Sequence, residues 1–315
     1  MNCIVTGGSG FIGSHVCAAL QEGGHQVVNL DLRPSNSKVT FVSADIRNVE
    51  QLTSAFTGHS VEAVFHIAAV ANARQSLDDP VGTVDINIRG TAGVLEAARR
   101  SKVQRVFLAS TVWFYNAVEQ SLNGQPRTLD ESCPILPEGA GHVYTTSKIA
   151  SEILCHDYQR LYKLDFTILR YGIPYGPGMW PGLALRSFLD NSFSGRPIRI
   201  FGDGSAVRRF VYVKDLARAH VLALSPKARN QIYNLEGERG VTIRELAETV
   251  QKFISNTEIE YIEDPARRGE LKVENGTVVS NQKAKKELGW QLKTGLEEGV
   301  RETVEWYRKH ILDGK

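Results

Sequence analysis

The sequence predicts an α/β protein, a doubly wound parallel sheet with helices on both faces, joined to a smaller mixed α/β lobe. Two observations carry that reading. From the first residues to about Tyr171, short β-branched runs alternate with helical stretches, the pattern of a parallel sheet covered on both faces. Directly behind the first run, Cys3-Ile4-Val5, stands Thr6-Gly7-Gly8-Ser9-Gly10-Phe11-Ile12-Gly13, which reads as a strand, a glycine turn and a helix start.

That turn has a chemical use. Glycines at 7, 10 and 13 let backbone pass where a Cβ would clash, so N–H groups of the turn and helix start, at Gly7, Gly10, Phe11, Ile12 and Gly13, can face a pyrophosphate. The next apolar run, Gln26 to Leu30, ends at Asp31, eighteen residues beyond Gly13, where an acid binds a ribose 2′-hydroxyl. Strand, turn and acid together predict a Rossmann dinucleotide site. Asp31 would repel a 2′-phosphate, which selects NAD over NADP.

The remaining elements follow in order. Strands are expected at Cys3 to Val5, Val27 to Leu30, Thr40 to Ser43, Ala63 to Ile67, Arg105 to Leu108 and Phe166 to Leu169, with helices near 11–22, 49–57, 81–101 and 143–162. Right-handed connections bring the glycine turn and the strand ends to one edge, where ligands bind. Past Tyr171 the turn-rich run Gly172 to Gly182 opens the smaller lobe. It is expected to hold helices near 183–194, 214–224, 242–254 and 294–310, and strands at Ile198 to Phe201 and Phe210 to Val213; Asp264 to Gly276 reads as a loop. The chain divides into a cofactor half, 1–171, and a substrate lobe, 172–315, with room for the chain to cross back.

Composition excludes several classes. At 315 residues, 42% hydrophobic and 23% charged, the chain can bury a large core and is not of disordered composition. A net charge of +2 supplies no field for nucleic acid or a membrane surface. No apolar run approaches the roughly 18 residues needed to span a bilayer, and the start lacks a secretory signal, so the expected compartment is the cytoplasm. The four cysteines form no C-x-x-C pair and the eight histidines no H-E-x-x-H, so no metal is expected.

Tyr144 and Lys148 stand four apart on an expected helix and share a face. A phenol is a poor base at neutral pH, and a nearby ammonium with an oxidised nicotinamide would lower its pKa. Ser110 and Thr111 follow the strand Arg105 to Leu108, so either hydroxyl could share a substrate oxygen with the tyrosine.

With these residues in view, the chain resembles the extended short-chain dehydrogenase/reductase family, particularly its nucleotide-sugar epimerases and dehydratases, over nearly its full length. The motifs are TGGSGFIGSH at 6–15, Asp31, Ala44-Asp45-Ile46-Arg47, His66-Ile67-Ala68-Ala69, Asn87 before Gly90-Thr91, Tyr144 with Lys148, and Arg170-Tyr171 before Tyr175-Gly176-Pro177. The resemblance implies that Asp45 and Ile46 contact the adenine region, that Ala68 and Ala69 line the cofactor, that Lys148 bridges the ribose hydroxyls, and that Asn87 and Tyr171 belong to the cofactor set. It selects Thr111 over Ser110, four residues before Tyr115. It implies a nucleotide-sugar substrate held by Phe201, Arg208 and Arg267, with Arg74 resembling a residue of epimerases for acidic sugars. It also implies a homodimer built on the helices near 81–101 and 143–162.

The implied reaction is NAD-dependent 4-epimerisation of a nucleotide sugar, most simply a UDP-hexose such as UDP-glucose or UDP-galactose, through a transient 4-keto sugar. Dehydratases and decarboxylases of the family carry an acid just after the threonine. Here Val112 and Trp113 stand there, and neither transfers a proton. Three positions depart from the family pattern: Ile173 for an asparagine, Arg209 for an aspartate, and the bulky Trp113. The competing readings are a keto-sugar or carbonyl reductase and, from another class, a dinucleotide-sensing regulator without catalysis.

Overall fold

β1 (Asn2–Thr6) is buried from Cys3 onward, as expected of a strand covered by helices on both faces. In the computed structural model, which describes residues 1–35, 39–115, 127–136, 140–255, 257–263 and 278–312, it lies inside a seven-stranded parallel sheet. Beside it on one side lie β2 (Gln26–Asp31) and β3 (Thr40–Ser43), and on the other β4 (Ala63–His66) and β5 (Arg105–Thr111). Beyond β6 (Thr128–Leu129), which lies outside this sheet, β7 (Asp165–Tyr171) continues it.

The seventh strand comes from the second half of the chain. β8 (Ile173–Tyr175), β9 (Ile198–Phe201), β10 (Val207–Arg208) and β11 (Phe210–Tyr212) form small pairings of the second lobe, but β12 (Gln231–Leu235) returns to pair with β7. The sheet therefore draws on residues from both sides of Tyr171. Gln231-Ile232-Tyr233-Asn234-Leu235 alternates polar and apolar residues too weakly to be recognised as a strand of the main sheet.

Helices cover both faces. α1 (Phe11–Glu22) packs on one, while α2 (Val49–Gly58), capped by the Asn48 side chain accepting from Gln51 N, packs on the other. The expected helix over 81–101 is a composite. After α3 (Ala73–Asp78), α4 (Pro80–Val84) runs through a π-helical turn at Asp85–Arg89 into α5 (Gly90–Arg100). The widened turn contains Asn87, whose amide is tied to both backbone groups of Val70. Alongside lies α6 (Val143–Tyr162), which closes in left-handed geometry at Lys163. His66, at the end of β4, is buried and bridges β1 to α5 through Thr6 at 2.8 Å and Thr91 at 3.0 Å.

In the second lobe, α7 (Ala184–Ser192), α9 (Ile243–Gln251) and α11 (Leu296–Tyr307) surround a core of their own. α8 (Val213–Leu222) packs back against α1 under the main sheet, and α10 (Gln282–Leu288) leads to Trp290, whose indole donates to the Asp215 carbonyl at 2.8 Å.

The turn between β1 and α1 tolerates no side chain at Gly13, where a Cβ would lie 2.1 Å from the Gly7 carbonyl oxygen. Gly13→Ala is expected to lower stability by about 1–3 kcal/mol through overpacking. Gly58→Ala, where a Cβ meets nothing within 4 Å, should leave it unchanged or slightly raised. Urea midpoints of the two variants check the contrast.

Candidate active site

Loops at the carboxyl edge of the sheet enclose a cavity of about 600 Å³. Its floor is the glycine turn, with Gly7, Gly10, Phe11, Ile12 and Gly13 lining it. Gly7 adopts φ +70°, and a Cβ there would lie 2.8 Å from the backbone of Ala68, so the β4 exit can close over the turn. α1 begins at Gly10 with no side-chain cap and no acid in its first turn. The N–H groups of Phe11, Ile12 and Gly13 therefore have no intrahelical acceptor and suit an anion.

Asp31, Asp45, Ile46, Ala68 and Ala69 line the same cavity. Asp31 accepts Ser9 N and Arg33 N, each at 3.2 Å, which fixes its carboxylate at the end of β2. Arg47 grips Asp45 at 2.6 Å and Asp85 at 2.7 Å, and its hydrogen bond holds the Asp45 carboxyl below the usual carboxylate range. Unsatisfied helix N–H groups, a fixed acid and an apolar wall of Ile46 and the alanines fit a dinucleotide: phosphates at the turn, a ribose diol at Asp31.

Three residues of the expected cofactor set, Asn87, Tyr171 and Lys148, do not line the cavity. Asn87 is buried behind the wall, its amide spent on Val70 and on Ser147 Oγ at 2.9 Å, so it positions the loop after β4 and α6 without facing the cavity. Tyr171 turns its ring into the core beneath the sheet and bonds His220 Nε2 at 2.6 Å.

Thr111 closes β5, and its hydroxyl acts on the Tyr144 phenol of α6 to lower its pKa. Trp113 N donates to Thr111 Oγ1 at 3.2 Å. The Trp113 ring stands edge-on to Tyr144 with centroids 6.2 Å apart, and His142, the α6 cap, lies 5.2 Å from Trp113. Sequence reasoning had no signal for His142 beyond its place before the helix.

Lys148, one turn along α6, is buried and donates to the Ala109 carbonyl at 2.9 Å. Burial pulls it down to about 8, against the opposing pull of the Glu152 carboxylate. Burial pushes the Tyr144 phenol up to about 12, more than the Thr111 hydrogen bond lowers it. The expected lowering by Lys148 is thus not delivered by the protein's own charges, because the ammonium is turned to a carbonyl.

Behind these groups lies a buried ion pair. Arg170 donates to Glu152 at 2.7 and 3.0 Å and to the Tyr115 hydroxyl at 3.1 Å, with its guanidinium 4.2 Å from the Phe114 ring centroid. Ser110 also donates to Glu152. Ser110, the alternative hydroxyl, is therefore engaged in holding the helix.

The expected substrate residues stand on separate elements. Arg74 is exposed on α3, next to the lining residue Gln75. Phe201 is exposed at the end of β9, and Arg208 is half-buried on β10, donating to its neighbour's carbonyl. Arg267 and the loop expected at 264–276 lie outside the described residues. Among the described residues no cluster suits a metal ion and no helix is long and apolar enough to cross a membrane.

The sequence pattern of the NAD dependent epimerase/dehydratase family matches residues 3–235, ending on the last residue of β12. The chain belongs to that family. A UDP-glucuronate 4-epimerase of Thermodesulfobacterium geofontis is 32% identical over 98% of this chain and 96% of its own length. A UDP-glucose 4-epimerase of Thermotoga maritima, solved with UDP-glucose, superposes with a TM-score of 0.85 at 31% identity, covering 99% of this chain and all of that one. A dTDP-glucose 4,6-dehydratase of Streptomyces venezuelae, solved with NAD and TYD bound, gives 0.84 at 28% identity, covering 98% of this chain and 97% of that one. The chain is thus similar to NAD enzymes of nucleotide sugars, epimerases and dehydratases alike.

The depressed pKa of Lys148 sets a pH dependence. Between about 8 and its ordinary 10.5, the unfolded chain keeps a proton that the folded one has lost, so stability gains as pH rises through that window. Lys148→Met lacks this gain. Urea midpoints of the ligand-free proteins should show wild type rising relative to the variant from pH 8 to 10.5; a constant difference would contradict the assignment.

Proposed function

We propose that the protein is an NAD-dependent nucleotide-sugar 4-epimerase acting on a UDP-hexose. The observation that carries the reading is the Thr111 hydroxyl beside the Tyr144 phenol, followed in the chain by Val112 and Trp113 instead of an acid. Elimination needs a further proton donor beside the pair, and epimerisation does not.

The roles follow from position. The glycine turn and Asp31 hold NAD, which supplies a reversible hydride acceptor when bound. Tyr144 takes the proton of the sugar 4-hydroxyl and returns it, while Thr111 holds the same oxygen in line. Lys148, one turn along α6, holds the ribose hydroxyls of the cofactor, and Trp113 with His142 packs against the Tyr144 ring.

Tyr144→Phe should lower turnover by about 10²–10⁴-fold, the range for a lost general base, while bound NAD is retained. The wild type is incubated in deuterated water with UDP-glucose, UDP-glucuronate, and dTDP- and GDP-sugars, and products are read by NMR. Inversion at C4 without solvent deuterium supports the proposal. Deuterium at C5 would sink it in favour of dehydration, and net consumption of NADH would favour a reductase. Conversion of UDP-glucuronate alone would give Arg74 a carboxylate partner.

We also propose a homodimer through α4 and α6. These helices pack side by side, and Val81, Val84, Ile153 and Leu161 on them are exposed, an apolar set that a second copy would cover. Light scattering should give the mass of two chains for wild type and of one for Val81→Asp with Ile153→Asp. A wild-type monomer would overturn it.

A further inference from the structure

Trp180 and Pro181 also line the cavity, whereas every other described lining residue lies between Gly7 and Ile86. They sit in Gly178-Met179-Trp180-Pro181-Gly182, bounded by glycines with φ of +87° and +96°, values that free the chain to bend on either side.

Three attachments hold the segment. His15 Nε2 pairs with the Pro177 carbonyl at 2.9 Å, Arg186 Nη1 donates to the Met179 carbonyl at 3.0 Å, and Met179 is buried in the core of the second lobe. Between them the Trp180 indole meets Phe11 edge to face, with centroids 5.6 Å apart and planes at 78°. Phe11 and His15 stand four residues apart on α1 and share a face. The helix whose N-terminus opens into the cavity thus also carries the two rings that grip the segment. Trp180 is half-buried, and its indole N–H has no protein acceptor among the described residues.

The geometry points to Trp180 as a dinucleotide-retaining residue, a strap from the second lobe that closes the cavity over bound NAD. This rests on the reading of the cavity as the NAD site. The ring supplies apolar cover beside the helix N-terminus, and the free N–H supplies a donor for a phosphate or ribose oxygen. Retention suits the proposed reaction, since an epimerase ends each turnover with its cofactor in the starting redox state, while a reductase must exchange it.

The test measures release directly. Wild type, Trp180→Phe and Trp180→Ala are loaded with radiolabelled NAD and chased with excess unlabelled NAD, and ligand-free melting is recorded for each. Release from Trp180→Ala is expected to be roughly threefold to tenfold faster than from wild type, the factor given by one lost aromatic contact. Trp180→Phe, which keeps a ring and loses the donor, should fall between them and serves as the readout if the alanine variant melts early. Equal release from all three at matched melting temperature overturns the strap alone. A wild type that takes up no NAD overturns the dinucleotide reading and the strap with it.

Discussion

A guanidinium and a carboxylate shut away from water bind the helix that carries Tyr144 and Lys148 to the sheet. Arg170 on β7 and Glu152 on α6 are 2% and 3% exposed, and such burial costs several kcal/mol per ion unless every partner is in place. Here the partners come from three elements: Ser110 from β5, Tyr115 and the Phe114 ring from the turn beyond it, and Asn234 on β12, bonded to that same tyrosine. Ser110, Arg170 and Asn234 stand in register on adjacent strands, one step before the edge that carries Thr111. Tyr144, Lys148 and Glu152 recur every four residues along one face of α6, so anchoring the third places the first two. A loose helix would leave the charges unpaired, which makes the position of the phenol an all-or-none property of the core.

The same dry surroundings act on the two titrating groups in one direction. Burial disfavours charge on both Tyr144 and Lys148, so the phenol is held protonated and the ammonium is weakened. Glu152 partly sustains the lysine's charge. A phenol held protonated in this way becomes a base only when added positive charge in the cavity lowers its pKa.

Much of this arrangement was legible in the sequence because it rests on local rules. The glycine turn, Asp31 and the four-residue step from Tyr144 to Lys148 each encode their geometry within one turn or one strand-turn-helix unit. The less legible parts depend on contacts between distant segments. Asn87 and Tyr171 belong to the expected motifs, yet their side chains are claimed by Val70 and His220, partners far off in the chain. β12 lacks an apolar run strong enough to announce a strand of the main sheet, and becomes its edge strand because β7 awaits a partner. Trp180 sits among turn residues whose spacing says nothing of the cavity beneath. The electrostatic balance at Tyr144 was equally out of reach, since it turns on where a lysine points.

The return of β12 to the sheet has a consequence for how the chain acquires its structure. Its partner β7 ends at Tyr171, sixty residues before β12 begins, so closing that pair requires a long loop to be gathered first. During synthesis the first 171 residues would emerge with the β7 edge still open, a template for mispairing with another chain. The second lobe is therefore built into the route by which the first is completed. A nascent chain cannot finish its dinucleotide half and then append a substrate half, and a gene cut near residue 171 would separate a sheet from its own last strand.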